Sequence, residues 1–297
     1  MKIYYGVHKN WTKVDKSKCK KENVFFIPKG DPPRTALFGF DPIFGVVKNV
    51  KIVFDKTNCV IVSNEEEVTF DESAIISKHK PESIQEKLQK IHSTLQVKGG
   101  KITDEYQEQI MVLMFLKPDN KVLEIGGNIG RNSLVIAKIL NNPKNLLVLE
   151  CDEENAALLK QNQDDNKLNF YIEDSALSKR SLYQKGWDTV PSEVDIAGWK
   201  KVKTITYDQL MSKYNINFDT LVVDAEGALY WILLDEPKLL NGIKTVIMEN
   251  DYPSLDQYEF VKNILLKENF NIVYSIPLYS HIEMCCKPFF YQVFQRK

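Results

Sequence analysis

The sequence is poor in everything that would mark a special class of protein. It has 13 glycines and 12 prolines, 25 of 297 residues, too few for a collagenous, low-complexity or disordered chain. No apolar run approaches the roughly 18–20 residues of a membrane-spanning helix, and the opening MKIYYGVHKNW lacks an apolar stretch followed by a small-residue cleavage site. Neither a membrane span nor a secretory leader is expected, and the default compartment is intracellular, the cytoplasm. Five scattered cysteines (Cys19, Cys59, Cys151, Cys285, Cys286) include no C-x-x-C pair, and four histidines (His8, His79, His92, His281) show no H-x-x-H spacing. Reduced thiols and no metal site are therefore expected. Excess charge of one sign is also missing. With 39 basic and 40 acidic residues the net charge is -1, and no whole-chain field draws the protein to nucleic acid or to an anionic bilayer.

What is present is ordinary globular composition, 43% hydrophobic and 27% charged, in a length that suits one large domain or two smaller ones. Residues 1–76 carry short β-branched and aromatic runs (2–7, 24–27, 46–54, 59–62, 67–70) broken by clusters such as PKGDPPR, which predicts a small β-rich module. Residues 77–117 read as a helical connector: Ile84, Leu88, Ile91 and Leu95 recur at helical spacing, and a second helix is expected over 104–116. These apolar positions face the sheet or a second copy of the chain. From 118 to 297 short apolar strands alternate with helices, the pattern of a doubly wound, mostly parallel α/β sheet. Seven strands are expected, at 121–125, 145–150, 168–173, 220–224, 245–249, 271–276 and 289–294, with the last two pairing as a hairpin.

The stretch VLEIGGNIGR, residues 122–131, runs from a strand through a glycine-rich turn into a helix. Such a turn lets backbone approach a ligand and aims the free N–H groups of the helix start at it. Glycine spacing alone also fits a tight packing turn. Glu124 sharpens the reading: a carboxylate here repels a dinucleotide pyrophosphate and attracts the ammonium and sulfonium of S-adenosylmethionine (SAM). Glu150, with Cys151 after it, ends the second strand at the spacing at which a carboxylate accepts ribose hydroxyls. Asp174 ends the third, followed by Ser175 and Ala176, where an acid can accept an adenine amino group.

Residues 122–276 resemble the FkbM-type family of SAM-dependent methyltransferases, within the class I methyltransferase fold. The resemblance is carried by VLEIGGNIG, by VLECDEENAALLKQN, by VKTITYDQLMSKYNINFDTLVVDAEG and by VIMEN. It implies that Glu124, Gly126, Gly127, Asn128 and Gly130 form the loop at the methionine end, that Glu150 binds ribose, and that Asp174 and Ser175 lie by the adenine. It further implies that Asp224, Glu226 and Gly227 line the reacting end. The family's usual Asp-x-Gly-Ala-Asn-x-Gly has Glu124 and Gly127 as variants here, and its lysine two residues before the fourth-strand aspartate is Val222.

The expected activity is methyl transfer from SAM to a hydroxyl of a sugar, a glycan or another small molecule. Asp224 and Glu226 are the candidate bases and His281 the next in line. Their i, i+2 spacing puts both carboxylates on one side of a continuing strand, whereas a turn at Gly227 splays them. Two rivals stay open: a SAM-binding scaffold without catalysis, and an RNA methyltransferase using the lysines at 13, 16, 18, 20 and 21, which otherwise form a solvated loop. Leu278-Tyr279 and Pro288-Phe289-Phe290-Tyr291 are either sugar-stacking aromatics or core.

Overall fold

The computed structural model describes residues 1–297 except His8, Lys80, Pro81, His281, Ile282 and Lys297. Two compact units divide between Ser83 and Ile84. Among the described residues no helix is long and apolar enough to cross a membrane.

The first unit contains β1 (Lys2–Val7), β2 (Asn10–Val14), β3 (Lys20–Lys21), β4 (Val24–Ile27), helix α1 (Asp31–Phe38), β5 (Asn49–Val53), β6 (Cys59–Val62), β7 (Glu67–Phe70) and β8 (Ile75–His79). They form two four-stranded antiparallel sheets, β2-β1-β5-β6 and β3-β4-β7-β8. Alternation along the strands supplies the core, with Ile3 and Tyr5 of β1 meeting Val50 and Ile52 of β5 and Phe70 of β7. The helix α1 is missed by the sequence reading because Pro32 and Pro33 look like breakers. Both prolines sit in its first turn, where no intrahelical N–H is needed. From this helix the fully buried Arg34 donates to the carbonyls of Pro28, Ser63 and Glu66 at 2.8, 2.6 and 2.6 Å. That set of charge-assisted bonds satisfies loops that no strand pairs. The boundary expected after residue 76 falls inside β8, whose residues 77–79 are paired with β7.

The second unit opens with α2 (Ile84–His92) and α3 (Tyr106–Phe115). These are not a connector. Leu88 of α2 and Ile110, Met111 and Val112 of α3 share one core with Leu134, Val148 and Val222, so both helices are a layer of the unit. The chain continues through β9 (Val122–Ile125), α4 (Arg131–Ile139), β10 (Leu146–Leu149), α5 (Glu153–Asp165) and β11 (Tyr171–Glu173). Then come five short elements: β12 (Ala176–Leu177), β13 (Leu182–Lys185), β14 (Asp188–Pro191), β15 (Lys200–Val202) and β16 (Thr204–Ile205). The rest is α6 (Tyr207–Tyr214), β17 (Thr220–Val223), α7 (Ala228–Asp235), β18 (Thr245–Glu249), α8 (Leu255–Lys267), β19 (Phe270–Ile276) and β20 (Tyr291–Arg296).

The central sheet has the order β11-β10-β9-β17-β18-β20-β19. Pairs from β11 to β18 are parallel, and β20 runs antiparallel to both its neighbours. In sequence order this is 3-2-1-4-5-7-6, with the chain turning to the left of β9 for two strands and later to its right. Crevices at the carboxyl ends of strands open at such a reversal. Strand alternation divides the core in two. Leu123, Leu149, Val223 and Met248 face α7 and α8, while Val122, Val148, Val222 and Ile247 face α3 and α4.

Candidate functional site

A cavity of about 350 Å3 opens where β9, β10, β17 and β18 end, within the range usual for small-molecule sites. Its floor is the glycine turn. Gly126 lies at φ 88°, and a Cβ there would stand 1.6 Å from the Asp224 carbonyl oxygen, so only glycine lets the ends of β9 and β17 come this close. The Gly126 and Gly127 N–H groups both donate to the Leu149 carbonyl at 3.0 Å, which ties the turn to β10. Gly127 and Gly130 serve packing: a Cβ on the first would meet Val148 at 2.2 Å and on the second Leu159 at 2.4 Å. Of the expected loop residues, Gly126 and Asn128 line the cavity, while Gly127 and Gly130 lie behind it.

Glu150 lines the cavity and also builds it. Its oxygens accept the Asn128 N–H at 2.6 Å and the Asp152 N–H at 2.8 Å, and each oxygen keeps a lone pair for a ligand hydroxyl. Burial raises the pKa of this carboxyl above the usual range. Cys151, Ser175 and Ala176 line the same wall. The Cys151 thiol is pushed up to about 12 by burial and by the charge of Glu150, which leaves it an unreactive thiol.

Two expected contacts are corrected. Glu124 does not face the cavity. Its position in β9 sends it to the α3/α4 side, where it is 2% exposed and accepts from Asn132 Nδ2 at 3.2 Å. Burial pushes its carboxyl up to about 8. Asp174 is likewise outside: β11 ends at Glu173, and the exposed Asp174 carboxylate pairs with Lys203 at 2.5 Å. His281 lies outside the described residues.

At the end of β17 the turn decides how the acids are grouped. Glu226 and Gly227 both have positive φ, 47° and 75°, and the Gly227 N–H donates to Asp251 Oδ1 at 2.7 Å. The chain therefore leaves the strand line after Asp224, so Asp224 and Glu226 separate. Asp224 follows Val223, which is in register with Met248, and so stands beside Glu249 on the α3 face. From α3 comes Glu108, and carboxylate oxygens of Glu108, Asp224 and Glu249 all lie within 4.8 Å of one another. Burial first, then the neighbouring acids, holds Asp224 and Glu249 well above the usual carboxylate range. Glu226, at the exposed rim, is raised by partial burial and then by the charge of Asp188. Asp251 is pushed up to about 7, mainly by burial and next by Glu226.

Sequence reasoning misses Glu108, Glu249 and Asp251, although VIMEN, followed by Asp251, marks a strand ending in acid. It also misses the hairpin β13–β14, whose turn carries Trp187, 63% exposed and lining the cavity. Trp231 of α7, under the Arg180 guanidinium at 5.0 Å, is a second indole in the wall. Arg180 itself is held by Asp235 at 2.6 and 2.7 Å. Arg131, the other arginine lining the cavity, pairs with Glu105 at 3.0 Å. Of the aromatics read as either sugar-stacking or core, Phe289 stacks on Tyr258 at 4.4 Å and Phe290 is 6% exposed, so both are core, while Tyr279 stands in solvent.

Strand order, the antiparallel seventh strand and the glycine turn define a Rossmann-like fold of the class I methyltransferase type. No family profile and no curated protein sequence matches the chain. Solved structures that it resembles include a protein of the NADB-Rossmann superfamily from Streptococcus agalactiae, at 12% identity over 64% of this chain and 68% of that one, TM-score 0.41. A precorrin-6y C5,15-methyltransferase from Geobacter metallireducens aligns at 10% identity over 69% and 94%, TM-score 0.41. An rRNA methylase from Streptococcus thermophilus aligns at 8% over 64% and 94%, TM-score 0.41. The fold assignment rests on the strand order itself.

Proposed function

We propose that the unit from Ile84 onward binds SAM in this cavity and transfers its methyl group to a hydroxyl of a sugar, a glycan or another small molecule. One observation carries the reading: the cavity at the strand switch point is lined by Glu150, Asp224, Glu226 and Glu249, while both arginines that line it are paired with other carboxylates. That environment opposes a pyrophosphate and suits a ligand bearing an ammonium and a sulfonium. The FkbM-type resemblance points to the same cofactor and to a hydroxyl acceptor.

The residues fit the group. Gly126 leaves room for close approach, Glu150 keeps lone pairs for ribose hydroxyls, and Ser175 and Ala176 offer a wall in place of the expected Asp174. SAM supplies an electrophilic methyl on a positively charged sulfur. The protein's part is to hold the acceptor oxygen in line and remove its proton. Glu226 suits the removal of the proton, because it lies at the open rim and a carboxyl raised by burial and Asp188 is a stronger base than a solvated one. Asp224 is grouped with Glu108 and Glu249 and acts toward the cofactor. Trp187 and Trp231 give flat apolar faces on which a sugar ring can rest.

The experiment is a screen of nucleotide sugars, glycans and short RNAs for conversion of SAM to S-adenosylhomocysteine. Turnover with a hydroxyl-bearing sugar supports the reading. Turnover only with RNA, strongly suppressed by salt, replaces it with the RNA enzyme. SAM binding without turnover on any acceptor favours the scaffold.

A further inference from the structure

The acids at the ends of β17 and β18 have a second property that bears on how the cofactor is recognised, and it rests on the SAM reading of the cavity. Asp224 and Glu249 are neighbours across two parallel strands, and Glu108 reaches them from α3, with all three carboxylates within 4.8 Å. Asp251 adds a buried oxygen, Oδ2, that has no hydrogen-bond partner, and its charge acts on both Asp224 and Glu249. Among the described residues, the groups acting most strongly on Asp224 are Glu105, Asp251, Glu108 and Glu226; those on Glu249 are Asp224, Glu108 and Asp251. From β20 the Tyr291 hydroxyl is kept neutral first by burial and then by the charges of Glu108, Glu249 and Asp224. No cation is among these described neighbours, and Arg131 is already paired with Glu105.

Carboxylates so close, half-buried and without a cation cannot all be ionised. A shared proton meets the need in the cofactor-free protein, and such groups titrate as a set, not singly. A positive ligand meets the same need and makes the proton superfluous. We infer that Asp224 and Glu249, packed against the Glu108 carboxylate, hold a proton in the cofactor-free protein and release it when the positive end of SAM's methionine moiety enters, which makes cofactor binding and proton release one event. The three residues are thereby specificity determinants: they select a cationic ligand over a neutral or anionic one of the same shape.

The sign follows from linkage. The free protein binds the extra proton and the complex does not, so below about pH 7.5, where SAM's own α-ammonium stays protonated, affinity for SAM rises with pH, by about tenfold per unit for one proton. Calorimetric titration of the full chain with SAM, at about pH 6 and again at about pH 7, where the ligand's α-ammonium stays protonated, in two buffers of unlike ionisation enthalpy, reads the proton count directly. About one proton released per SAM is expected, with release falling by half or more in Glu249→Gln and in Glu108→Gln. S-adenosylhomocysteine keeps the ammonium but has a neutral sulfur: release with both ligands assigns the cluster to the ammonium, and release with SAM alone assigns it to the sulfonium. SAM binding without proton release overturns the inference and leaves the SAM site standing. Release undiminished in both variants overturns the assignment to these residues. A need for added magnesium, reversed by chelation, overturns proton sharing, and a folded chain that binds no SAM overturns this inference together with the proposed function.

Discussion

Replacing Gly126 by alanine tests the geometry on which the site depends. The added methyl would lie 1.6 Å from the Asp224 carbonyl oxygen and 2.6 Å from its carbon, both backbone atoms that cannot swing aside. The ends of β9 and β17 must part, which strains the Asp224 N–H bond to Ile125 at 3.1 Å and the Gly126 N–H bond to Leu149 at 3.0 Å. Alanine at φ 88° adds a conformational cost of about 1–2 kcal/mol. With the displaced hydrogen bonds the total is on the order of 3–5 kcal/mol. For a unit of this size that lowers the unfolding temperature by roughly 6–20 °C. Gly198→Ala is the control: its φ is 78°, but nothing lies within 4 Å of the new methyl, so it bears only the conformational cost. Tryptophan fluorescence during thermal unfolding follows this unit well, since Trp187, Trp199 and Trp231 all belong to it. If Gly126→Ala is no less stable than Gly198→Ala, the close approach of β9 and β17 is wrong.

Three further outcomes are expected. Glu124 has its carboxyl raised to about 8 in the folded state, so the native protein holds the proton more tightly than the unfolded chain, and stability falls as pH rises from the usual carboxylate range toward 8. Glu124→Gln should flatten that fall, by up to a few kcal/mol at the alkaline end; urea midpoints near pH 5 and near pH 8.5 that move in parallel in parent and variant refute it. Glu226→Gln should keep SAM affinity and lower turnover by roughly 10²–10⁴-fold once an acceptor is known; normal turnover in a steady-state assay removes Glu226 as the base. A fragment beginning at Ile84 should fold and bind SAM with the affinity of the full chain, because its sheet, helices and cavity are complete within the unit; circular dichroism of an unfolded chain would show that residues 1–83 share its core.

The parallel sheet is legible in the sequence because each central strand is an apolar run at βαβ spacing, and such runs read the same in sequence as in space. The glycine turn and Glu150 are legible for a related reason: their chemistry is local to one strand end. Glu124 is misread because a carboxylate at a strand end is expected to face the crevice, whereas its place in the alternation sends it under α4. The Asp174 contact fails by one residue, since β11 ends at Glu173. The acid cluster is invisible because Glu108 lies more than a hundred residues from Asp224 and Glu249, and only the sheet register and the packing of α3 bring them together. The β13–β14 hairpin is missed because its strands are short and mostly polar, LYQK and DTVP, with no alternation strong enough to announce them.

The most direct test of the central claim is calorimetry of SAM and of NAD against the parent protein and against Glu150→Ala. The parent should bind SAM and bind NAD more weakly or not at all. In the variant, the glycine turn loses the acceptor of the Asn128 and Asp152 N–H groups, and the ribose hydroxyls lose a charged partner. A loss of about 1.5–3 kcal/mol per charged hydrogen bond to the ligand is expected, more than tenfold in affinity. Tighter binding of NAD than of SAM, or SAM affinity unchanged in Glu150→Ala, would contradict the account.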